Sequence, residues 1–304
     1  MTKKRESTYT RFARLAYEVA KATLPTYSHC KSPHRYTLPQ LAACVLLGLY
    51  MKQTYRGTEQ LLLTSDQLCD VLELEEVPNY ATLNRTYKKI TLRDWERMQQ
   101  IFLRAINNGA GIEEEYVAID STYFAPTQAS PTFLSKAGRK HSHYFTGAFA
   151  VGLFSLLILA ICVGMGPSSD MPYLKPLRRK ARRYGVKLSK RRRLQTIVAD
   201  RGFDGRDVRE GDIIPPIRRN NQMRDPIRIA RLELVSQARM EGFYGQRWKI
   251  ESVNSVIKRL FGDAVRSRSK QMQRRDVFVK GLLYNLHVCW LAICPKHSHS
   301  YCAI

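Results

Sequence analysis

Two aspartates stand at the ends of short apolar segments that have the composition of buried strands. Asp120 ends Tyr-Val-Ala-Ile-Asp (116–120), and Asp200 ends Thr-Ile-Val-Ala-Asp (196–200). Neighbouring strands would bring both carboxylates to one edge of a sheet, where their oxygens suit a hard cation such as Mg²⁺. An aspartate after a strand is more often an ordinary turn or capping residue. The pair alone therefore leaves a structural role and a metal site both open.

A third carboxylate, Glu251, lies in a segment with helical periodicity, residues 243–261. Four polar side chains fall within an arc of about 60° on this helix: Tyr244, Arg247, Glu251 and Lys258. The opposite side carries an apolar stripe that can pack against a core: Ile250, Val253, Val256, Ile257 and Leu260. A surface helix with an Arg247–Glu251 ion pair is the simpler interpretation. That pair would not require Tyr244 and Lys258 to be in line with it.

The spacing Tyr244-x2-Arg247-x3-Glu251-x6-Lys258 resembles the Y-R-E-K signature of DDE transposases encoded by prokaryotic insertion sequences. The contexts AIDST around Asp120 and VADRGFD around Asp200 are similar to those of the first and second catalytic aspartates of that family. PNYATLNR (78–85) is similar to a stretch that these proteins carry ahead of the catalytic domain. The resemblance extends from about residue 38 to about residue 290.

This resemblance implies an α/β fold with a ribonuclease H-like catalytic core, a mixed five-stranded sheet flanked by helices. Asp120 would end the first strand, Asp200 would end the fourth, and Glu251 would lie on a helix behind the sheet. The expected domains are a small all-α N-terminal region at 1–110, which would bind DNA ends, and a catalytic domain with a C-terminal helix at 111–304. The chain between Asp200 and Glu251 is too short for a large insertion domain.

The resemblance also implies a function, that of an insertion-sequence transposase. Such a protein binds terminal inverted repeats and catalyses strand cleavage and strand transfer by two-metal phosphoryl transfer. Asp120, Asp200 and Glu251 would be the catalytic residues and would hold two Mg²⁺ or Mn²⁺ ions. Arg247 and Lys258 would hold phosphates next to the cut, and Tyr244 would position the backbone or a displaced base. The partners would be double-stranded DNA of the element ends and target, with a homodimer formed on the DNA.

The chain is strongly basic, with 50 Lys+Arg against 26 Asp+Glu and a formal charge of +24. Such a charge attracts polyanions, either nucleic acid or an anionic membrane surface. Two basic segments are expected to contact DNA, a helix at 81–90 of the helix-turn-helix kind and the run 175–193. The residues proposed in them are Arg85, Lys88, Lys89, Arg191, Arg192 and Arg193. For 81–90, a helix with a solvated basic face is the simpler alternative.

Residues 147–166 are an uncharged stretch of 20 residues, which makes them a candidate membrane span. Their four glycines and their β-branched and aromatic residues favour two buried strands instead. In the implied fold they belong to the second and third strands, 145–155 and 156–164, so no membrane association is expected. No secretory signal opens the chain, and its seven cysteines have no regular spacing. We therefore expect an intracellular protein. The resemblance implies a prokaryotic one, associated with the nucleoid in the cytoplasm.

The N-terminal third shows mainly helical periodicity. Helices are predicted at 38–52, 58–72, 81–90 and 92–107, the last capped by Thr91.

Two other functions remain open from the sequence. One is a ribonuclease H-like nuclease that cleaves without transposing, and the other is a non-catalytic basic DNA-binding protein such as a decayed transposase.

Overall fold

The computed structural model describes residues 6–29, 31, 33–110, 112–126, 144–166, 169–185, 187–188, 191–192, 195–217 and 225–293. The chain divides into two compact units. One consists of residues 1–105 and 282–304, and the other consists of residues 106–281. The predicted domains at 1–110 and 111–304 placed the whole C-terminal helix in the second unit. In the structure, residues from 282 onward group with the N-terminal helices instead.

The first unit is helical, as the N-terminal periodicity predicts. Its helices are α1 Thr8–Lys21, α2 Leu38–Tyr50, α3 Tyr55–Leu63, α4 Asp66–Val71, α5 Tyr80–Lys89 and the start of α6 Leu92–Ala110. Polar caps set where they begin. Thr37 and Gln40 form a capping box at α2, and Thr91 accepts from Asp94 N at α6. Ser65 caps a new helix at α4, so the segment 58–72 forms two helices rather than the single predicted one.

The core of this unit includes contacts from the end of the chain. The Phe12 ring stacks on that of Tyr50 with 3.9 Å between centroids. The Tyr50 hydroxyl is 2.8 Å from Nδ1 of His287, which lies in the C-terminal helix. These contacts tie residue 287 to α1 and α2, and they explain why the end of that helix groups with the N-terminal helices.

The second unit is built on a mixed five-stranded sheet, which confirms the predicted fold class. Its strands are β1 Tyr116–Pro126, β2 Phe145–Gly152, β3 Ile158–Met165, β6 Thr196–Ala199 and β7 Ala264–Val265. The order is β3-β2-β1-β6, and β7 also pairs with β1. β2 is antiparallel to β1 and β3, whereas β6 and β7 are parallel to β1. A separate small hairpin joins β4 Lys187–Leu188 and β5 Arg191–Arg192.

The uncharged stretch 147–166 forms most of the β2–β3 hairpin. All eight residues of β2 are buried. The turn is held by the buried carboxylate of Glu114, which accepts from the backbone N–H groups of Phe154 at 3.1 Å and Ser155 at 2.7 Å. Among the described residues, no helix is long and apolar enough to cross a membrane. The strand interpretation of this stretch is therefore the correct one.

Among the residues that the structure describes, four α-helices complete this part of the chain. They are α7 Met171–Ala181, α8 Pro226–Met240, α9 Trp248–Phe261 and α10 Lys270–Ile293, of which residues up to 281 belong to this unit. α7 packs on β2 and β3, and α9 packs on β1. The predicted helix at 243–261 begins as a 3₁₀ turn, Tyr244–Arg247, and becomes an α-helix at Trp248. Gly242, with φ of 71°, lies in the short connection between the end of α8 and this tighter turn.

Candidate active site

Asp120 lies in the middle of β1 and not at its end, so the predicted end of the first strand is wrong. Pairing with β6 stops at Ile119↔Ala199, and pairing with β7 begins at Ala125↔Ala264. Continuous pairing with β2 keeps β1 extended beyond Asp120 as far as Phe124. Asp120 therefore stands where the β6 side of the strand loses its partner. This gap gives Asp120 the position at a sheet edge that the end of a strand was expected to provide.

Asp200 directly follows β6, as predicted. Its Oδ1 accepts from the backbone N–H of Gly202 at 2.9 Å, so Asp200 caps the 3₁₀ turn Arg201–Phe203. The strand before it is held by the buried Asp212, which accepts from Ile197 N at 3.3 Å and from Arg178 Nη1 at 3.0 Å. Asp200 is therefore attached to a firmly anchored strand.

The second aspartate of the VADRGFD segment, Asp204, has a structural position. It is buried, and its Oδ1 accepts from Arg231 Nη2 at 2.8 Å while its Oδ2 accepts from Ile217 N at 2.8 Å. Arg231 belongs to α8 and is also buried. This ion pair fixes the loop after β6 to α8, and thereby limits the positions that Asp200 can take.

Glu251 lies in the first turn of α9 with an exposed side chain. It forms an ion pair with Arg247, one turn earlier. The predicted apolar stripe is buried at Ile250, Val253 and Ile257. Val256 and Leu260 are only half-buried. Helix α9 therefore packs as the sequence predicts, and the i,i+4 pair of the simpler interpretation is present as well.

Two of the predicted carboxylates, Asp200 and Glu251, act electrostatically on the third, Asp120. The pKa of the Asp120 carboxyl is raised from 3.8 to about 6, chiefly because burial disfavours its charged form. The charge of Arg247 and a hydrogen bond from the Ser121 backbone lower this pKa, whereas the charges of Asp200 and Glu251 raise it. Asp200 and Glu251, from two other elements, are thus close enough to affect the ionisation of Asp120.

Asp120 and Glu251 border an open cleft of about 620 Å³. Its lining combines carboxylates, cations and small polar groups: Asp120, Thr122, Glu251, Asn254, Ser255, Lys258, Arg259 and Asp263. Asp200 is not among the lining residues. Carboxylates beside Lys258 and Arg259 form a surface that can hold both a cation and a phosphate group.

The chemistry of the carboxylates fits a divalent cation. All three candidate ligands offer hard oxygen donors, which Mg²⁺ prefers. Burial, together with the charges of Asp200 and Glu251, raises the pKa of Asp120, and a divalent cation beside this carboxylate would favour its charged form. In the part of the chain that the structure describes, no three His, Cys, Asp or Glu side chains are grouped closely enough to hold one ion. The three carboxylates are therefore candidate ligands by their chemistry and not by a preformed grouping among the described residues.

The other signature residues lie around α9. Lys258 lines the cleft, with Nζ 6.0 Å from the centre of the Phe124 ring. Arg247 adjoins the cleft through its ion pair with Glu251. The Tyr244 ring faces the guanidinium of Arg239 at 5.1 Å, and Tyr244 is not among the lining residues.

The basic residues predicted on the N-terminal helix lie on α5 and are exposed. Arg85 Nε donates to Ala81 O at 3.2 Å, and Lys89 donates to Ser28 Oγ. Lys88 is exposed next to Lys89. At the other end of α5, the Glu59 carboxylate accepts from Asn79 Nδ2 and Tyr80 N. This carboxylate occupies the N-terminal end of the helix, so a phosphate would be held by the basic side chains of the later turns.

Some residues of the basic run 175–193 form contacts inside the folded structure and are not available to bind DNA. Arg178 is buried against Asp212, and Lys180 Nζ donates to Ile161 O at 3.1 Å. Arg191 and Arg192 form strand β5. Arg193 lies outside the described residues, so its predicted contact with DNA stays a prediction.

Two polar residues beside the aspartates were not predicted from the sequence. Asn254 is buried and donates from Nδ2 to Asp120 Oδ2 at 2.9 Å. Asp170 accepts from Ser121 Oγ. A Cβ added to Gly202 would lie 2.9 Å from Asp170 Oδ2 and 3.1 Å from Asp200 Oδ1, so Asp170 approaches the segments of both aspartates.

Only one of these two residues has a signal in the sequence. Asn254 is a polar residue within the apolar stripe of α9, where Ile250, Val253 and Ile257 are buried. A single polar group on such a stripe is a sign of a specific buried partner. Asp170 precedes α7 and has no periodic pattern around it, so only the tertiary structure reveals it.

The model of the transposase DDE domain family matches residues 112–286. The chain belongs to this family. The matched range is more than half of the chain, and it contains the whole five-stranded sheet together with Asp120, Asp200 and Glu251. No curated protein and no solved structure was found to match the chain. Membership of the Y-R-E-K subclass of DDE transposases stays a prediction from the signature residues.

Proposed function

We propose that this chain is an insertion-sequence transposase that binds terminal inverted repeats and, with divalent metal ions, cleaves and joins DNA strands. The observation that carries this proposal is the transposase DDE domain at residues 112–286, which contains Asp120, Asp200 and Glu251. Asp120 and Glu251 border a cleft that Lys258 and Arg259 also line, and the charges of Asp200 and Glu251 both act on the Asp120 carboxyl.

In this proposal, Asp120, Asp200 and Glu251 hold two Mg²⁺ or Mn²⁺ ions. When bound, such ions activate an attacking oxygen and stabilise the leaving oxygen of a phosphodiester. The three carboxylates supply the negative charge and keep the site open on the side of the cleft. Because Asp120 is half-buried, its charge is less screened by water than that of an exposed carboxylate and acts more strongly on a nearby cation.

The basic residues of the site position the DNA. Lys258 lies in the cleft and supplies a point charge for a phosphate next to the cut. Arg247 can bind a phosphate through two parallel hydrogen bonds when Glu251 exchanges its guanidinium partner for a cation. Tyr244, one turn before Arg247, positions the backbone or a displaced base.

The proposed reaction needs no nucleophile from the protein. Water attacks a phosphorus at the element end, forms a new P–O bond, and breaks the bond to the 3′ oxygen, which leaves as a 3′-OH. That hydroxyl then attacks a phosphorus of the target DNA and releases a target 3′-OH, so the number of phosphodiester bonds is conserved in the joining step. The site accelerates both steps by orientation and charge stabilisation. Since two ends are joined to one target, we expect a homodimer on the DNA.

The first experiment measures strand cleavage of duplex DNA that carries the sequences flanking this reading frame. We expect cleavage with Mg²⁺ or Mn²⁺ and a loss of at least 100-fold, on the order expected for lost transition-state stabilisation, in Asp120→Asn, Asp200→Asn and Glu251→Gln. Asp263→Asn is the matched control. Asp263 is a carboxylate bordering the same cleft, but it is not among the charges that shift the pKa of Asp120. Equal activity in all four variants would contradict the assignment.

The second experiment separates transposition from simple cleavage. A pre-cut element end with a free 3′-OH is incubated with target DNA, and joined products are counted. Cleavage without joining would favour a nuclease. DNA binding that is unaffected by removal of Mg²⁺, with no cleavage by the wild-type chain, would indicate a non-catalytic DNA-binding protein.

A further inference from the structure

Asn254 is a buried amide that contacts the carboxylate at the centre of the site. Its side chain is 7% exposed, and Nδ2 donates to Asp120 Oδ2 at 2.9 Å. Its Oδ1 is buried and has no hydrogen-bond partner among the described residues. Such an oxygen destabilises a folded chain by about 1–3 kcal/mol, whereas an apolar side chain of the same shape would avoid the cost. Packing alone therefore does not explain an amide at this position.

The position of Asn254 on α9 links two of the proposed metal ligands. It lies one turn after Glu251, between the buried Val253 and Ile257, and it borders the same cleft as Asp120. α9 packs on β1, and the Asn254–Asp120 bond joins these elements at the site. Because a hydrogen bond has a preferred direction and distance, this bond favours one location of Glu251 relative to Asp120.

We propose that Asn254 is a positioning residue, whose amide holds Oδ2 of Asp120 and orients this carboxylate toward a divalent cation. The inference rests on the proposed function, because it assumes that Asp120 is a metal ligand. Partners that hold a metal ligand in place typically change metal affinity by about 10–100-fold when they are replaced. Asn254 would act in this way without contacting the DNA or the reacting atoms.

The test measures Mn²⁺ binding to the DNA-free full-length chain by titration calorimetry, together with thermal unfolding without metal. Asn254→Leu keeps a similar volume but removes the amide, and Asn254→Ser provides a second variant that is too short to reach Asp120. We expect at least a tenfold loss of Mn²⁺ affinity in both variants. Ser255→Ala is the matched control, since Ser255 borders the same cleft and has no hydrogen bond to Asp120 in the described structure. It should bind Mn²⁺ like the wild type.

A double-mutant comparison separates positioning from packing. In an Asp120→Asn background, Asn254→Leu should cause no further loss of Mn²⁺ affinity, because the carboxylate that it orients is gone. A further loss of the same size, or Mn²⁺ binding like the wild type in folded Asn254→Leu or Asn254→Ser, would overturn the inference while leaving the proposed function intact. If the wild-type chain neither binds Mn²⁺ nor cleaves DNA, the proposed function fails and the inference fails with it.

Discussion

At the scale of single residues, Asp120 is held in an environment that opposes its own charge. Burial is the largest cause of its raised pKa, and the carboxylates of Asp200 and Glu251 add to it. The positive charge of Arg247 offsets only part of this rise in pKa, since Arg247 also pairs with Glu251. A chain selected for stability alone would not keep a half-buried carboxylate near two others, so this arrangement indicates a function that requires the charge.

This arrangement predicts that Asp120→Asn stabilises the metal-free chain at neutral and alkaline pH. Because the folded-state pKa is above the unfolded value, the wild type is most stable below about pH 4 with respect to this group and loses stability as the pH rises through about 6. A rise from 3.8 to about 6 corresponds to about 3 kcal/mol. Asparagine carries no charge and avoids this loss. Urea unfolding in EDTA should therefore show a more stable variant at pH 8.

The same measurement at pH 4 is the control for this prediction. There Asp120 is protonated in the folded wild type, so the stability of the two chains should nearly coincide. An equal difference at both pH values would show that the effect of the substitution does not come from the ionisation of Asp120.

At the scale of elements, the site depends on where strands stop pairing and on buried ion pairs that hold the connecting loops. The gap between β6 and β7 along β1 gives Asp120 its position at an edge. Arg178–Asp212 anchors β6, and Asp204–Arg231 anchors the loop after it. Ion pairs of this kind add little net stability but are costly to break, so they favour one defined geometry for Asp200.

The segment after Asp200 predicts a sensitive glycine. In Gly202→Ala, the new Cβ would meet Asp170 Oδ2 at 2.9 Å and Asp200 Oδ1 at 3.1 Å, so the two carboxylates must move. We expect DNA cleavage to fall at least tenfold, about the effect of misplacing a catalytic group by an ångström or less, with little change in thermal stability. Gly211→Ala is the control, because its Cβ would meet no atom within 4 Å. Unchanged cleavage in Gly202→Ala would show that these carboxylates can shift freely.

At the scale of the whole molecule, the formal charge of +24 is divided between structural and surface roles. Arg178 and Arg231 are buried in ion pairs, and Lys180 donates to a backbone carbonyl. On α5, by contrast, Arg85 and Lys88 are exposed. Basic residues therefore differ in how far they can contribute to DNA binding, and composition alone does not separate them.

The exposed face of α5 predicts a measurable part of DNA affinity. Replacing Arg85, Lys88 and Lys89 together by alanine should weaken duplex binding and reduce the slope of log affinity against log salt by about 3, nearly one for each lost phosphate contact. Fluorescence anisotropy between about 50 and 200 mM KCl measures both quantities. A matched triple variant replaces Arg11, Arg14 and Lys21 of α1, which pair with acidic side chains. If both triple variants change the slope equally, α5 has no special role.

The sequence predicts a structural feature well when that feature depends on neighbouring residues in the chain. The stripe on α9, the caps of α2 and α6 and the strand before Asp200 follow from residue types within one or two turns, and the structure shows them. The break between α3 and α4 and the 3₁₀ turn at Tyr244 were missed. The 3₁₀ turn depends on small differences between helical forms that periodicity does not resolve. The break depends on the cap at Ser65, which apolar spacing does not reveal.

The sequence by itself determined the candidate carboxylates, because strand composition, helical spacing and the signature around Glu251 are properties of short segments. It determined the fold class through the family resemblance that this signature carries. The tertiary structure alone decided that β1 continues past Asp120, that Asn254 binds it, and that Asp170 approaches Gly202. It also decided which basic residues are buried and which are exposed. These features arise from contacts between residues far apart in the chain, where pairing partners and burial, and not local preference, set the position of each side chain.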